Sequence, residues 1–213
     1  MSEDASGEIL VLGIGNVLWA DEGFGVRAVE AFHERFEVPP GVSVVDGGTQ
    51  GVYLLDHVCA ARCAIVFDTI DFGLPPGTLK VLRDDEVPVW ADTKMSLHQA
   101  TFQELLSLAR LRGRFPASIT LIGVQPQTLE DFGGSLSPCV RDRLPEALRI
   151  ACDELARWGV AARQRARAPA EHERLTARAL ALDAYEGGRP SAEAACRTGD
   201  DRFFPAPDAR ENG

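Results

Sequence analysis

Three short runs in this chain lack the polar alternation of a half-exposed strand. They are Ile9-Leu10-Val11-Leu12-Gly13, Cys63-Ala64-Ile65-Val66-Phe67 and Ile119-Thr120-Leu121-Ile122-Gly123-Val124. A strand with one wet face alternates apolar and polar residues, whereas a strand covered on both faces is apolar nearly throughout. Helical patterns separate the runs. Phe24, Val26, Val29, Phe32 and Phe36 recur at helical spacing between charged residues, and Leu97 to Arg110 and Pro138 to Trp158 read as further amphipathic helices. Val42 to Val45 and Thr78 to Leu82 predict two more strands, and a helix follows Thr49 as far as Cys59. Pro39-Pro40-Gly41 and Pro75-Pro76-Gly77 mark turns. Strands alternating with helices at these lengths predict an α/β fold, a three-layer sandwich. Its twisted sheet is mostly parallel and is covered by helices on both faces.

The 213 residues suit one main domain with an appendage, at roughly 100–200 residues per domain. The composition shifts near Gly159. The arginines of residues 161–213 balance the acidic residues there, so the net charge of −10 falls on residues 1–160. We therefore divide the chain into a domain over 1–160 and a C-terminal tail over 161–213. The tail is expected to be partly helical or disordered and weakly anchored, with one helix over Ala170 to Glu186. A strongly acidic chain is a poor partner for phosphate backbones, which excludes nucleic acid. The longest apolar stretch, Ile9 to Ala20, is broken by Gly13, Gly15 and Asn16, so no membrane span is expected. The five cysteines form no CxxC and pair with none of the four histidines at zinc-finger spacing. With an acidic start where a signal peptide would be basic, free thiols point to the cytoplasm.

In open α/β sheets ligands bind beyond the carboxyl ends of the strands. Three predicted strands end there in polar sequence. They are Gly13-Ile14-Gly15-Asn16 followed by Asp21-Glu22-Gly23, Asp46-Gly47-Gly48-Thr49, and Asp68-Thr69. Gly13-x-Gly15 lacks the third glycine of a dinucleotide fingerprint, because Leu18 stands in its place. We read these glycines as letting a tight loop pass close to its neighbours. No G-x-S-x-G elbow, phosphate loop or H-E-x-x-H helix is present. The D-T-G of aspartic proteases is also missing, since Asp68-Thr69 is followed by Ile70. Glu22, Asp68 and His98 are a possible metal set. Two carboxylates and an imidazole suit borderline divalent ions such as nickel or zinc. By residue type alone, a lone histidine at a helix start, such as His98, is usually a capping or surface residue.

Taken together, Gly13-x-Gly15-Asn16-x₄-Asp21-Glu22-Gly23-x-Gly25, Asp46-Gly47-Gly48-Thr49-x-Gly51, Asp68 and Lys94-x-Ser96-x-His98 resemble the hydrogenase maturation endopeptidases. Gly123-Val124-Gln125-Pro126 and Asp131-Phe132-Gly133-Gly134-Ser135-Leu136-Ser137-Pro138 resemble the branch serving uptake hydrogenases. The likeness covers residues 8–160. It implies a five-stranded sheet and a metal site at Glu22, Asp68 and His98. It also implies removal of a C-terminal extension from the precursor of a nickel–iron hydrogenase large subunit once nickel is in place, and a grouping with aspartic-type endopeptidases. Nickel is then the cofactor, carried by the precursor or shared with it, and the precursor is the partner. Asp68, Asp46 and Glu22 are the candidate catalytic carboxylates. Either the ion polarises the scissile carbonyl, or it only places the bond while Asp46 or Asp68 handles protons. The alternative reading is a non-catalytic nickel-binding checkpoint or chaperone that uses the same rim without cutting.

Overall fold

The first strand, β1 (Glu8–Ile14), sends Leu10, Leu12 and Ile14 to one side and Ile9 and Val11 to the other, and all five are buried. It therefore needs cover above and below. The computed structural model describes residues 8–87 and 97–189, the side chains of 97–101 excepted. In it β1 lies between parallel neighbours β3 (Val42–Gly48) and β4 (Ala61–Thr69), with Val11 opposite both Val44 and Ile65. The order is β3-β1-β4-β6-β5, where β6 is Ser118–Val124 and β5 is Leu79–Arg83. Only the edge strand β5 runs antiparallel, pairing Val81 with Ile122. This is the expected five-stranded, mostly parallel sheet.

Two cores form, one on each face. Helix α1 (Phe24–Arg35) brings Phe24, Val29 and Phe32 onto Ile9, Val11, Ile65 and Phe67. Helix α5 (Leu144–Arg157) adds Leu148, Ala151 and Leu155 to the same layer. On the other face, α2 (Leu55–Ala60) and α3 (Leu97–Leu111) bring Val58, Phe102, Leu105 and Ala109 onto Leu10, Leu12, Ala64 and Val66. The helix expected over 138–158 is interrupted. Pro145 inside a continuous helix would remove a hydrogen bond and clash with the carbonyl four residues back. The chain instead makes α4 (Pro138–Arg141), breaks, and restarts with Pro145 in the first turn of α5. The helix expected after Thr49 likewise divides, into a 3-10 turn (Gly51–Leu54) and α2. Glu154, buried in α5, accepts hydrogen bonds from Arg83, Arg157 and Thr120, tying the edge strand to the helix layer.

Residues 161–189 are not a loose appendage. Strand β7 (Arg163–Gln164) pairs antiparallel with β2 (Phe36–Glu37) at the end of α1. The chain then runs back along α1 in two 3-10 turns and a short helix, α6 (Leu182–Gly187), instead of one helix over 170–186. Its anchors are mostly polar. Arg27, almost fully buried in α1, donates to the Leu180 carbonyl and sits 5.5 Å from the Tyr185 ring. His33 meets the Glu173 carbonyl at 2.7 Å. Ser135 donates to Glu186 at 2.6 Å, and Arg141 pairs with the same carboxylate. An apolar stripe was the only anchoring signal sought in the sequence, and this strap uses little of one. A chain stopped after Val160 uncovers Arg27 while keeping every strand of the sheet. It should still fold but melt about 4–10 °C lower, at the ~2–4 °C per kcal/mol expected for this size. A thermal melt by circular dichroism measures the difference, and an unchanged midpoint would show the strap to be energetically idle.

Candidate active site

The carboxyl ends of β1, β3 and β4 form one rim. Asp46 in β3 lies beside Gly13 of β1, and Asp68 in β4 lies beside Gly123 of β6. Past β1 the chain turns through Asn16 to Trp19 into a 3-10 turn (Ala20–Gly23), which carries Asp21 and Glu22 and leads into α1. Glycines let that turn sit hard against the strands. A Cβ on Gly25 would lie 2.1 Å from the Ile14 carbonyl oxygen and 2.3 Å from that of Phe67. Gly15, at φ +142°, would put a Cβ 2.0 Å from the Glu22 carbonyl oxygen. The glycine pattern is therefore a packing requirement, as its sequence suggested.

Asp68 is the unusual group. It is only 3% exposed, and strand alternation turns it, like Val66 and Ile70, to the face covered by α2 and α3. Its Oδ1 accepts the Thr69 N–H at 2.7 Å, while its buried Oδ2 has no hydrogen-bond partner among the described residues. Burial pushes the carboxyl from its usual value near 3.8 up to about 8. The Thr69 bond opposes that rise, and the Glu22 charge adds to it. Glu22 is thus close enough for its charge to act on Asp68. A second carboxylate charge near a buried carboxyl favours its protonated form.

Asp46 is not brought to that pair. Val42 and Val44 pack against the α1-side core, and by the same alternation Asp46 faces α1. Its Oδ1 accepts the Gly48 N–H at 3.0 Å, and its Oδ2 accepts the Thr176 hydroxyl of the strap at 3.1 Å. Thr176 also bonds Glu30 of α1, whose carboxyl burial pushes upward. All three strand ends share an edge, but their carboxylates divide between the two faces of the sheet. His98 is the second residue of α3, and its side chain lies outside the described residues, as do Lys94 and Ser96. Phe102, one helical turn on, helps line a small cavity with Ile14, Gly48 and Leu54, so α3 starts at the same rim.

Three further residues build the site without having been singled out for it. Asp21 is fully buried. Its carboxylate accepts the N–H groups of Gln127 (2.8 Å), Thr128 (3.0 Å) and Ser137 (2.7 Å) and the Ser137 hydroxyl (3.0 Å). It thereby holds the loop after β6 over the Glu22 turn. Thr69 donates its hydroxyl to the Asp21 carbonyl at 2.5 Å. The Gln125 side chain accepts the Phe72 and Leu74 N–H groups and donates to Asp71, shaping the segment after Asp68. Gln125 was legible only as part of a motif, and Asp21 only as the neighbour of Glu22. Leu18, Trp19 and Phe132 stand exposed beside the turn, with the Trp19 and Phe132 rings edge to face at 5.3 Å. Among the described residues no group of three or more His, Cys, Asp or Glu is poised to hold a metal, and no helix is long and apolar enough to cross a membrane.

A family model described as hydrogenase maturation protease matches residues 26–154. The hydrogenase expression/formation protein HoxM of Azotobacter vinelandii is 57% identical over 198 residues, covering 92% of this chain and 94% of that one. The hydrogenase 2 maturation protease of Escherichia coli K12 is 42% identical over 155 residues, covering 72% and 94%. In three dimensions, the hydrogenase maturating endopeptidase HybD from Escherichia coli superposes with a TM-score of 0.71 at 41% identity, covering 74% of this chain and 98% of its own. Sequence and sheet architecture thus agree, and the chain belongs to the hydrogenase maturation proteases, hydrolases that cut within a polypeptide.

Proposed function

We propose that this protein removes the C-terminal extension of a nickel–iron hydrogenase large-subunit precursor after nickel insertion, in the cytoplasm. The carrying observation is the buried, half-satisfied Asp68 carboxyl beside Glu22 at the carboxyl edge of the sheet, in a chain of this family. A divalent ion suits that place. Asp68 Oδ2 has no partner among the described residues, the two carboxyls repel when both are ionised, and α3 starts at the same rim with His98 in its first turn. In this reading Glu22, Asp68 and His98 are the protein's ligands, and the nickel arrives with the substrate. Such an ion, when bound, polarises a carbonyl and so eases attack by water.

The protein's own groups supply the rest. Amide hydrolysis needs a group that takes a proton from water and one that gives a proton to the leaving nitrogen. In the metal-free protein burial keeps a proton on Asp68 up to about pH 8. With an ion bound there that proton is lost, and the carboxylate pair can then take a proton from water and pass it to the leaving nitrogen. That exchange is the physical content of an aspartic-type grouping here. Asp46, held by Gly48 and Thr176 on the other face, is proposed to shape the 47–51 turn, with the proton work left to the Asp68–Glu22 pair. Leu18, Trp19 and Phe132 offer the precursor an apolar wall next to the turn that bears Glu22.

Intact mass of nickel-loaded precursor after incubation with the protein tests the reading. Loss of a C-terminal segment is expected. The free C-terminal peptide and the nickel-free precursor should stay whole, because neither brings the ion that completes the site. Positioning of this kind can contribute about 7–11 kcal/mol to a rate. Efficient cutting of the free peptide without metal would overturn the shared-ion scheme. An unshortened nickel-loaded precursor would leave a binding checkpoint as the function.

The Asp68 carboxyl also makes a stability prediction. In the unfolded chain it ionises near 3.8, and in the folded protein near 8. Between those values the native state holds a proton that the unfolded state has lost. Stability from this group is therefore complete below about 3.8 and drains away as pH rises through about 8. Asp68→Asn cannot titrate. In metal-free buffer the parent's melting temperature should fall between pH 6 and 9, while that of D68N changes less. D68N should also abolish processing with the fold intact. Parallel pH slopes for the two proteins would show that Asp68 ionises normally.

A further inference from the structure

Asp68 is the penultimate residue of β4, and among the described residues only one of its oxygens has a hydrogen-bond partner. What aims it is the next residue. Thr69 is 8% exposed and makes two hydrogen bonds in opposite directions. Its N–H donates to Asp68 Oδ1 at 2.7 Å, and its hydroxyl donates to the Asp21 main-chain carbonyl at 2.5 Å. Asp21 immediately precedes Glu22. Its own side chain is immobilised by the four bonds from Gln127, Thr128 and Ser137. The Glu22 carbonyl in turn accepts the Asn16 N–H at 3.1 Å. One hydroxyl therefore ties the turn that bears Glu22 to the strand end that bears Asp68.

We propose that Thr69 is a positioning residue of the active site, fixing the separation of Glu22 and Asp68 by joining the buried Asp21 turn to the end of β4. The inference rests on the reading of Glu22 and Asp68 as the ligand and proton-transfer pair. Threonine suits the task because its branched Cβ restricts χ1, so the hydroxyl is held toward Asp21. Valine has nearly the same shape but no donor, and it would leave the Asp21 carbonyl without this partner. Serine keeps the donor and loses only the methyl group. Partners that orient ligands in this way commonly change metal affinity or activity 10–100-fold when removed.

The test uses the full-length protein as T69V and T69S beside the parent. Nickel chloride titrated calorimetrically into each metal-free protein reads the site without turnover. Melting temperature reads the fold, and kcat and KM on nickel-loaded precursor read the reaction. T69V should bind nickel at least about 10-fold more weakly and lose kcat by a similar factor, with KM for the precursor within about 2-fold. T69S should return to within about 3-fold of the parent in both. Parent-like nickel affinity in T69V, or T69S as impaired as T69V, would overturn the proposal. Should T69V fail to fold, Thr69→Ala removes the same hydroxyl without adding apolar atoms and is judged by the same criteria. If the parent protein leaves the precursor whole, the functional reading fails, while the nickel titrations still decide for or against positioning by Thr69.

Discussion

A carboxylate taken out of water must find hydrogen bonds, a cation or a proton. Besides Glu154, the described residues bury two of them near the carboxyl edge of the sheet, and the two are treated in opposite ways. Asp21 receives four donors and is quenched. Asp68 receives one, keeps a bare oxygen, and is pushed toward its neutral form. The first arrangement is architecture, since it pins the loop after β6 over the start of α1 and fixes the turn that presents Glu22. The second is reactivity held in reserve, because an under-coordinated oxygen beside another carboxyl favours whatever positive charge arrives. The rest of the rim follows from that pairing. The glycines around Gly15 and Gly25 exist to bring the Asp21 turn within reach of β4, and Gln125 shapes the chain beyond it.

Much of this was legible in the residues themselves. Strands β1, β4 and β6 declared themselves because burial on both faces removes the polar alternation that makes a strand ambiguous. Their ends drew attention to Glu22 and Asp68, and the resemblance singled the two out from the other polar residues there. The face of Asp46 was also there to be read, since Val42, Val44 and Asp46 stand two apart and must project together. Attention to where a strand stops, and not to its parity, concealed it. The break before α5 was written in Pro145. Asp21 was harder. An aspartate before a glutamate and a glycine looks like a solvated turn, and its partners lie more than a hundred positions further along. Long-range satisfaction of a polar group leaves no local trace.

The C-terminal strap was missed for a related reason. Amphipathic periodicity detects segments that dock by burying a hydrophobic stripe. Residues 161–189 dock mainly by arginine, by backbone carbonyls and by a two-residue strand pair, leaving Leu175 and Ala181 as the main apolar contributions. Such contacts are individually weak and depend on a preformed surface, here the outer face of α1. They also converge on the site from behind. Thr176 reaches Asp46, and Glu186 meets Ser135 and Arg141, which flank the Ser137 anchor of Asp21.

The placement of Arg27 has a consequence for how the chain is made. Its side chain is almost fully enclosed in the finished protein, and its acceptor, the Leu180 carbonyl, lies 153 positions later. During synthesis every strand of the main sheet emerges before that acceptor does. At about 5–20 residues per second, the interval between the closing of α5 and the arrival of the strap is on the order of seconds. For that time α1 shows the outside world a guanidinium and an unsheathed flank. A chain that stops growing near residue 160 has every strand of the main sheet and an unfinished exterior.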